Sequence, residues 1–330
     1  MKSLSTQQDM GLTVPYLPYP SPVAELGRRG NPFATNAAHL AGQMEQLAFL
    51  INRGLLPGTF WAVVGSYIEM FDFFPDDRAA YFILTEEWFQ KIGGYLNSAI
   101  YIPPPLPASH PALTAAINPG LDLAGLEARF LASEPQLVVV DDFLSPPALQ
   151  ALLDFCLEAT VFFDARFGYA SASLDEGLGR SQVLLALVAE LRHDLPMVVG
   201  DRPLAGAWAF KYDSEVAKGT EVHADQAAVS LNFWITPDGA NLDESSGGLV
   251  VYDKPPPKDW AFTEYNGDDP AIRRRKVEHL AGCEKVVVPY KQNRLVMFHS
   301  KLFHKTDSFR FKRGFENRRI NLTLLFGDNP

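Results

Sequence analysis

The stretch Arg319-Ile320-Asn321-Leu322-Thr323-Leu324 alternates polar and apolar side chains near the end of the chain. Successive side chains of a β-strand point to opposite faces, so Arg319, Asn321 and Thr323 share one face of a predicted strand. An arginine that begins a strand inside a barrel is costly to bury unless a carboxylate meets it. That carboxylate belongs either to one of the chain's own Asp or Glu residues or to a bound molecule. The neighbouring Arg318 points to the other face, where a surface salt bridge is expected.

The same half of the chain contains further short apolar runs that are separated by turn residues. They predict strands over residues 136–140, 207–212, 229–236, 248–252, 285–289, 294–299 and 319–326, with a helix over 148–160. Many short strands with few helices between them are typical of an antiparallel sandwich or barrel. The stretches 171–179 and 253–269 are predicted to be loops that could cover a site, because loops commonly carry selectivity.

The N-terminal part of the chain has a different pattern. Its first 35 residues are rich in Pro, Gly and Ser and predict an extended arm. Asn36 is expected to cap a helix that runs to about Arg53 and stops at Gly54. Further helices are predicted over 59–71, 76–92 and 121–131, with a proline-dense connector over 101–120. The predicted boundary therefore lies near residue 130, between a helical N-terminal region, 1–130, and a mainly β domain, 131–330.

The composition is that of an ordinary globular protein, with 330 residues, 47% of them hydrophobic, and a net charge of −10. The acidic balance disfavours nucleic-acid binding, which depends on neutralising phosphates. The two cysteines are far apart in sequence and predict neither a disulfide framework nor a zinc ribbon, so a reducing compartment is expected. No secretory h-region opens the chain, and the apolar window 55–74 is interrupted by Pro, Gly and acidic residues. The predicted location is therefore cytoplasmic, with no membrane span.

A candidate metal site is formed by His223-Ala224-Asp225 and a distant histidine, His304. Side chains at i and i+2 of a strand point the same way, so His223 and Asp225 can reach one ion. Two imidazoles and one carboxylate are the ligands of open non-haem iron sites, where other positions stay exchangeable. His299, which ends the apolar strand before His304, is the alternative distal ligand. The other histidines are expected to be surface or structural residues, and the basic run 273–276 is either a solvated face or a guide for an acidic substrate.

These residues resemble the Fe(II)/2-oxoglutarate-dependent dioxygenase superfamily, whose pattern is HxD, a distal His and then Arg-x-Ser or Arg-x-Asn. The likeness is to the prolyl-4-hydroxylase-like branch and covers about residues 131–330. It is carried further by LVVVDDFLSP (137–146), Tyr212 ahead of His223, GGLVVY (247–252) and RLVMF (294–298). The last strand also resembles that of AlkB-type demethylases. The arginine follows the distal histidine at a longer spacing than is usual in the family, and Asn321 stands in place of the usual serine.

The resemblance implies a double-stranded β-helix, or jelly roll, that binds Fe(II), 2-oxoglutarate and O2. The implied iron ligands are His223, Asp225 and His304. Arg319 is implied to pair with the distal carboxylate of 2-oxoglutarate. The implied hydrogen-bonding helpers are Tyr212, Asn321 and Thr323, and the implied substrate-pocket residues are Asn232 and Trp234.

The implied reaction couples oxidative decarboxylation of 2-oxoglutarate to hydroxylation of an amino-acid, peptidyl or related small-molecule substrate, with ascorbate as an auxiliary reductant. Halogenases of the family carry a small residue at the position of Asp225, so hydroxylation is favoured over chlorination. Three alternatives stay open: an AlkB-type nucleic-acid demethylase, which the acidic charge disfavours, a non-catalytic jelly-roll assembly module, and a zinc hydrolase, which would not require Arg319. The N-terminal helices are expected to brace the barrel or to form a homodimer.

Overall fold

The computed structural model describes residues 16–18, 33–73, 78, 81–166, 168–267 and 269–328, so most of the predicted extended arm lies outside the described residues. The strands are β1 (Tyr16–Pro18), β2 (Ala34–Asn36), β3 (Tyr81–Leu84), β4 (Leu137–Val140), β5 (Asp164–Arg166), β6 (Tyr169–Ser173), β7 (Leu204–Tyr212), β8 (Val229–Trp234), β9 (Leu249–Tyr252), β10 (Lys285–Val288), β11 (Leu295–His299), β12 (His304–Thr306) and β13 (Ile320–Phe326). The helices are α1 (Ala37–Asn52), α2 (Trp61–Phe71), α3 (Glu86–Lys91), α4 (Pro111–Thr114), α5 (Leu123–Ala132), α6 (Pro146–Glu158), α7 (Gln182–Asp194), α8 (Phe262–Asn266) and α9 (Pro270–His279). Among these helices, none has the length and apolar character that crossing a bilayer requires.

A seven-stranded antiparallel sheet dominates the second half of the chain, in the order β4-β11-β8-β13-β7-β6-β5. A smaller antiparallel sheet has the order β10-β9-β12. Apolar residues from both sheets form one cluster, which includes Val296 and Phe298 of the large sheet and Leu249 and Val251 of the small one. The prediction of a mainly antiparallel β region is confirmed, and the two packed sheets are consistent with a jelly roll.

The alternation in β13 decides which face of the large sheet meets which neighbour. Ile320, Leu322 and Leu324 are fully buried and belong to the apolar core that includes α6 and α7. The alternate residues Asn321 and Thr323 lie on the other face, toward the small sheet. A one-residue slip of β13 would exchange these two sets, so the buried apolar face specifies the strand's register.

The N-terminal helices have an apolar core of their own, built mainly from α1, α2 and α3. As predicted, Asn36 caps α1: its side chain accepts a hydrogen bond from the backbone N–H of His39. Gly54 has φ of +71°, a conformation that glycine adopts without strain where the helix ends. The apolar core that includes α6 and α7 also contains residues of α4 and α5, which lie upstream of residue 131. The domain boundary near residue 130 stays a prediction.

Several predicted elements differ from the structure. The helix predicted over 76–92 is wrong in its first half, where Tyr81–Leu84 form a strand between β1 and β2. Phe82 and Leu84 are buried while their neighbours are not, a period of two that suits a strand. The loop predicted over 171–179 begins inside β6, and the loop over 253–269 contains α8. Helices α7 and α9 were not predicted, and the basic run 273–276 lies on α9.

Arg318 is not at the surface, as its alternating position had suggested. Its side chain is 8% exposed and forms ion pairs with Glu45 at 3.0 Å and Asp213 at 3.4 Å. Glu45 belongs to α1, so the N-terminal helix covers this end of the large sheet. The face opposite Arg319 is therefore an internal packing surface, and Arg318 holds a buried ion pair there.

Lys211 should make the stability of the protein depend on pH. Its ammonium group is buried between the rings of Phe162 and Phe315, at 4.0 and 4.6 Å from their centroids, and has no hydrogen-bond partner among the described residues. Burial lowers the pKa of Lys211 from 10.5 to about 7. Between these values unfolding takes up a proton, so the free energy of unfolding should rise with pH by at most about 1.4 kcal/mol per unit.

Urea denaturation at pH 7.5 and pH 9.5 checks this expectation for the wild type and Lys211→Met. The variant should lose most of the increase, because methionine does not titrate. Lys285→Met, at an exposed position, is the matched control and should keep it. Equal pH slopes in the wild type and Lys211→Met would contradict the assignment.

Candidate metal centre

His223 and His304 face each other across an antiparallel β-bridge. The backbone N–H of His223 donates to the carbonyl of His304 at 3.0 Å, and the reverse bond measures 2.8 Å. Residues directly opposed in an antiparallel pair project to the same face, and the two rings lie 4.2 Å apart between centroids. The backbone therefore brings together two histidines that are far apart in sequence.

Asp225 reaches the same point without a regular strand. The prediction that His223 and Asp225 lie in one strand is wrong, because the chain forms a single bridge at His223 and is irregular from residue 224 to residue 228. The backbone N–H of Asp225 donates instead to the carbonyl of Ser300 at 2.9 Å. The Asp225 side chain accepts from the Ser230 hydroxyl at 2.6 Å, which orients the carboxylate.

The three side chains converge closely enough to hold one metal ion. The Asp225 carboxylate oxygens lie 3.6 Å from Nε2 of His223 and 3.5 Å from Nε2 of His304. All three donor atoms lie within 4.8 Å of one another. Metal–ligand bonds of roughly 2.0–2.2 Å to nitrogen and oxygen can bridge such gaps with small side-chain shifts. Among the described residues no further His, Cys, Asp or Glu joins this group, so the donor set fits an open site.

Hydrogen bonds prepare both imidazoles for metal binding. Nδ1 of His223 lies 2.7 Å from the carbonyl of Glu221, and Nδ1 of His304 lies 3.0 Å from that of Leu302. A carbonyl only accepts, so each Nδ1 carries a hydrogen, and the lone pair of the neutral ring is then on Nε2. Burial, aided by the nearby His223, lowers the pKa of His304 to about 4. His304 is therefore neutral at pH 7, as a metal ligand must be.

Asn266 clamps the residue between the first two donors, and sequence reasoning did not find it. Its side-chain oxygen accepts from the N–H of Ala224 at 3.0 Å, while its side-chain nitrogen donates to the carbonyl of Ala224 at 2.7 Å. The amide thus pairs with Ala224 as a neighbouring strand would. Because Asn266 belongs to helix α8, the local sequence around His223 carries no signal for it.

Replacing Asn266 with alanine should weaken metal binding by roughly tenfold, since loss of a group that orients ligands typically costs 10- to 100-fold. Co(II) titration followed by visible absorption measures the dissociation constant. Asn317→Ala, which removes an amide hydrogen bond to the carbonyl of Arg313, serves as the control and should leave the constant unchanged. An unaltered Co(II) affinity in Asn266→Ala would show that the clamp is unnecessary.

Arg319 lies in the same cavity and is 2% exposed. Its guanidinium donates to the carbonyls of Gly247 at 2.7 Å and Gly248 at 3.2 Å, and to the side-chain oxygen of Asn321 at 3.0 Å. Its carbon lies 4.6 Å from the centroid of the Tyr212 ring. Burial lowers the pKa of Arg319. No carboxylate among the described residues forms an ion pair with it, so an internal Asp or Glu partner is not supported.

Steric and backbone constraints explain why both residues whose carbonyls accept from Arg319, Gly247 and Gly248, are glycines. A Cβ at Gly248 would lie 1.9 Å from the carbonyl oxygen of Val288, on the neighbouring strand β10. Gly247 has φ of +89°, which other residues adopt only with strain. These glycines let the chain turn into β9 while two carbonyls point toward the guanidinium.

One cavity of about 440 Å³ contains all nine residues that the sequence had singled out. They are His223, Asp225, His304, Arg319, Tyr212, Asn321, Thr323, Asn232 and Trp234. His299, the alternative distal ligand, is not among the lining residues; its Nδ1 accepts from the N–H of Lys301. Ser230, Asn266 and the pair Gly247-Gly248 are the supporting residues that act on the predicted donors and on Arg319.

No protein-family model matches the chain, and no curated protein matches it. Similar solved structures are 2-oxoglutarate- and iron-dependent oxygenases, including prolyl 4-hydroxylases. A non-heme alpha-ketoglutarate-dependent carbocyclase, SnoK from nogalamycin biosynthesis, is 12% identical over 62% of this chain and 85% of its own, with a TM-score of 0.46. A prolyl-4-hydroxylase from Pseudomonas putida is 15% identical over 62% of this chain and 98% of its own, with a TM-score of 0.39.

A prolyl hydroxylase from Trichoplax adhaerens, solved with a peptide fragment of hypoxia inducible factor, is 16% identical over 62% of this chain and 90% of its own. Its TM-score is 0.41. At identities and TM-scores this low, the function of the present chain has to be inferred from the residues of its own cavity.

Proposed function

We propose that this protein is an Fe(II)- and 2-oxoglutarate-dependent oxygenase that hydroxylates an amino-acid, peptidyl or related small-molecule substrate. The observation that carries the proposal is the buried guanidinium of Arg319, which has no carboxylate partner among the described residues. It lies in the same cavity as the three donors His223, Asp225 and His304. A buried cation of this kind is stabilised when a carboxylate binds beside it.

The spacing between the arginine and the metal donors supports a short keto diacid as the cosubstrate. Gly248 accepts a hydrogen bond from Arg319, and Val251 is the strand partner of His304. Three residues of extended chain span roughly 10 Å. A five-carbon diacid can place one carboxylate at the guanidinium and still direct its keto and second carboxylate oxygens toward the donors.

The residues of this chain would bind the metal ion, orient the Asp225 carboxylate and cover the Arg319 guanidinium. His223, Asp225 and His304 would hold Fe(II), which, when bound, supplies the oxidation with O2 and the keto acid. The Tyr212 ring lies against the guanidinium of Arg319, which is 2% exposed. Ser230 holds the Asp225 carboxylate by its hydroxyl. The carboxylate at position 225 supports hydroxylation over halogenation, because it takes a position that a halide would need.

Release of CO2 from the keto acid tests the proposal most directly, because oxidative decarboxylation leaves succinate from 2-oxoglutarate but acetate from pyruvate. Protein purified without oxygen is loaded with Fe(II) and given ascorbate, O2 and either 2-oxoglutarate or pyruvate. The matched pair differs at the end of the molecule that Arg319 is proposed to bind, because pyruvate has no distal carboxylate. Turnover of 2-oxoglutarate but not of pyruvate supports the proposal. Absence of Fe(II) binding, or equal use of the two keto acids, contradicts it.

A further inference from the structure

We infer that the substrate is an uncharged molecule with a flat apolar ring and an acceptor oxygen, and that Asn232 donates a hydrogen bond to that oxygen. The inference rests on the proposed function, since it assigns the part of the same cavity that the metal donors and Arg319 leave free. Three observations carry it: the direction of a hydrogen-bond chain, the lack of further charge on the cavity wall, and the placement of Trp208.

A chain of hydrogen bonds runs from Arg319 to Asn232. Arg319 donates to the side-chain oxygen of Asn321 at 3.0 Å, and the Asn321 nitrogen donates to the Thr323 hydroxyl at 3.4 Å. The Thr323 hydroxyl then donates to the side-chain oxygen of Asn232 at 2.6 Å. A guanidinium can only donate, so the Asn321 oxygen accepts and the Asn321 nitrogen is the atom that donates to Thr323. The Thr323 hydroxyl keeps its own hydrogen, which it donates to the Asn232 oxygen.

This direction leaves the nitrogen of the Asn232 side chain as the free end. Asn232 is 6% exposed, and its nitrogen is buried without a hydrogen-bond partner among the described residues. Asn232 also lines the cavity. A buried donor without a partner is destabilising, and a carbonyl or similar oxygen on a bound molecule would satisfy it.

The wall of the cavity offers no further charge. Apart from the three metal donors and Arg319, the described lining residues are uncharged. The ammonium and carboxylate of a free amino acid would find no opposite charge there beyond those four groups. Burying an unpaired ionised group is unfavourable, so the free cavity favours a neutral molecule over a zwitterion.

An apolar surface lies across the sheet from Asn232. Trp208 of β7, Thr323 of β13 and Asn232 of β8 form one row across three neighbouring strands. Two strand spacings separate Trp208 from Asn232, which is roughly 10 Å. A molecule with a ring on Trp208 and an oxygen at Asn232 would therefore bridge this row.

Gly206 shows how the Trp208 ring lies. A Cβ at Gly206 would be 2.1 Å from a ring carbon of Trp208, so the indole covers this glycine. Gly206 pairs with Leu325, whose other partner is Ser230. Ser230 holds the Asp225 carboxylate. The indole thus leans toward the row of the sheet that supports a metal donor, and a ring resting on it would lie toward the reactive end of the cavity.

Calorimetry on protein loaded with Mn(II) and 2-oxoglutarate without oxygen tests the substrate class. The probes are N-acetyl-L-phenylalaninamide, L-phenylalanine and N-acetyl-L-alaninamide, at concentrations up to millimolar. The first two share a ring and differ in charge, whereas the first and third are both neutral and differ in the ring. We expect N-acetyl-L-phenylalaninamide to bind at least about tenfold more tightly than either other probe. Binding of free phenylalanine at equal or higher affinity, or no binding of the blocked form, overturns the inference.

Variants test the two residues. Asn232→Leu keeps the side-chain size but removes the donor. It should weaken the binding of N-acetyl-L-phenylalaninamide about tenfold. Trp208→Ala should weaken it as well, while Trp208→Phe should recover most of the binding. Asn317→Leu, outside the cavity, should leave the affinity unchanged. If Asn232→Leu weakens the binding of 2-oxoglutarate and not that of the probe, Asn232 donates its hydrogen bond to the cosubstrate and the assignment is wrong.

The proposed function and the inferred substrate class can be contradicted by different results. If the wild type binds neither Mn(II) nor 2-oxoglutarate, the proposed function fails. If it binds both but shows no preference among the three probes, only the inferred substrate class fails.

Discussion

Asp225→Ala is expected to lose stable Fe(II) binding and all detectable succinate formation. The carboxylate is one of only three donors that converge among the described residues, and its oxygens lie about equally close to the two imidazoles. Its removal also takes away the negative charge that would balance the metal ion. The loss of metal affinity should exceed the roughly 10- to 100-fold decrease that is typical when a residue that orients a metal ligand is removed.

Two measurements check the prediction: iron content after anaerobic reconstitution, and succinate formed from 2-oxoglutarate. Ser230→Ala is the matched comparison, because it removes the hydrogen bond to the carboxylate and keeps the carboxylate itself. That variant should bind iron with intermediate affinity. The iron assignment would be wrong if Asp225→Ala retained one iron per chain and normal turnover. A thermal melt confirms that both variants are folded.

Arg319→Met should weaken 2-oxoglutarate binding by about 100-fold or more, because loss of one partner of a buried ion pair typically costs roughly 3–5 kcal/mol. The same change should also lower the melting temperature of the cosubstrate-free protein, because it leaves the Gly247 and Gly248 carbonyls and the Asn321 oxygen without their donor. Ligand binding is therefore measured by the rise in melting temperature that 2-oxoglutarate adds, not by the melting temperature of the free protein.

Thermal shift in the presence of Mn(II) measures both effects. In the wild type, 2-oxoglutarate should raise the melting temperature as its concentration exceeds the dissociation constant. In Arg319→Met that shift should disappear at the same concentrations. An unchanged affinity for 2-oxoglutarate would show that Arg319 has another role.

The neighbouring residue provides the control. Arg318→Met removes a buried ion pair with Glu45 and Asp213 on the opposite face of the sheet. It should lower the melting temperature of the free protein and leave the 2-oxoglutarate shift intact. Of the two adjacent arginines, only Arg319 is thus expected to change the binding of 2-oxoglutarate.

Much of the β region could be predicted because its strands carry a strong local pattern. In β13 the apolar residues Ile320, Leu322 and Leu324 alternate with polar ones, and the structure buries the two sets on different faces. Where the pattern was ambiguous, the prediction failed. Residues 81–84 were assigned to a helix, although the structure pairs them with β1 and β2. The aromatic and apolar run there suits either element, and only its strand partners decide.

The roles of individual residues depended on contacts between distant segments. The sequence suggested two sources for the carboxylate partner of Arg319. The structure places carbonyls, an amide and aromatic rings around the guanidinium, with no ion pair to a carboxylate among the described residues. A bound molecule is therefore the source that we propose. The sequence also placed Arg318 at the surface, whereas helix α1 covers it. Neither environment is encoded near residues 318 and 319.

By itself, the sequence determined seven strands of the β region, though not β5, β6 or β12, together with the polar face of β13 and the residue types of the proposed metal donors. These follow from side-chain periodicity and ligand chemistry, which operate within a few residues. Only the tertiary structure decided that His304 faces His223, that Asn266 clamps Ala224, and that the nitrogen of Asn232 ends a hydrogen-bond chain without a partner among the described residues. Such contacts join segments that are distant in the chain, and their geometry is set by the packing of the two sheets together rather than by any local stretch.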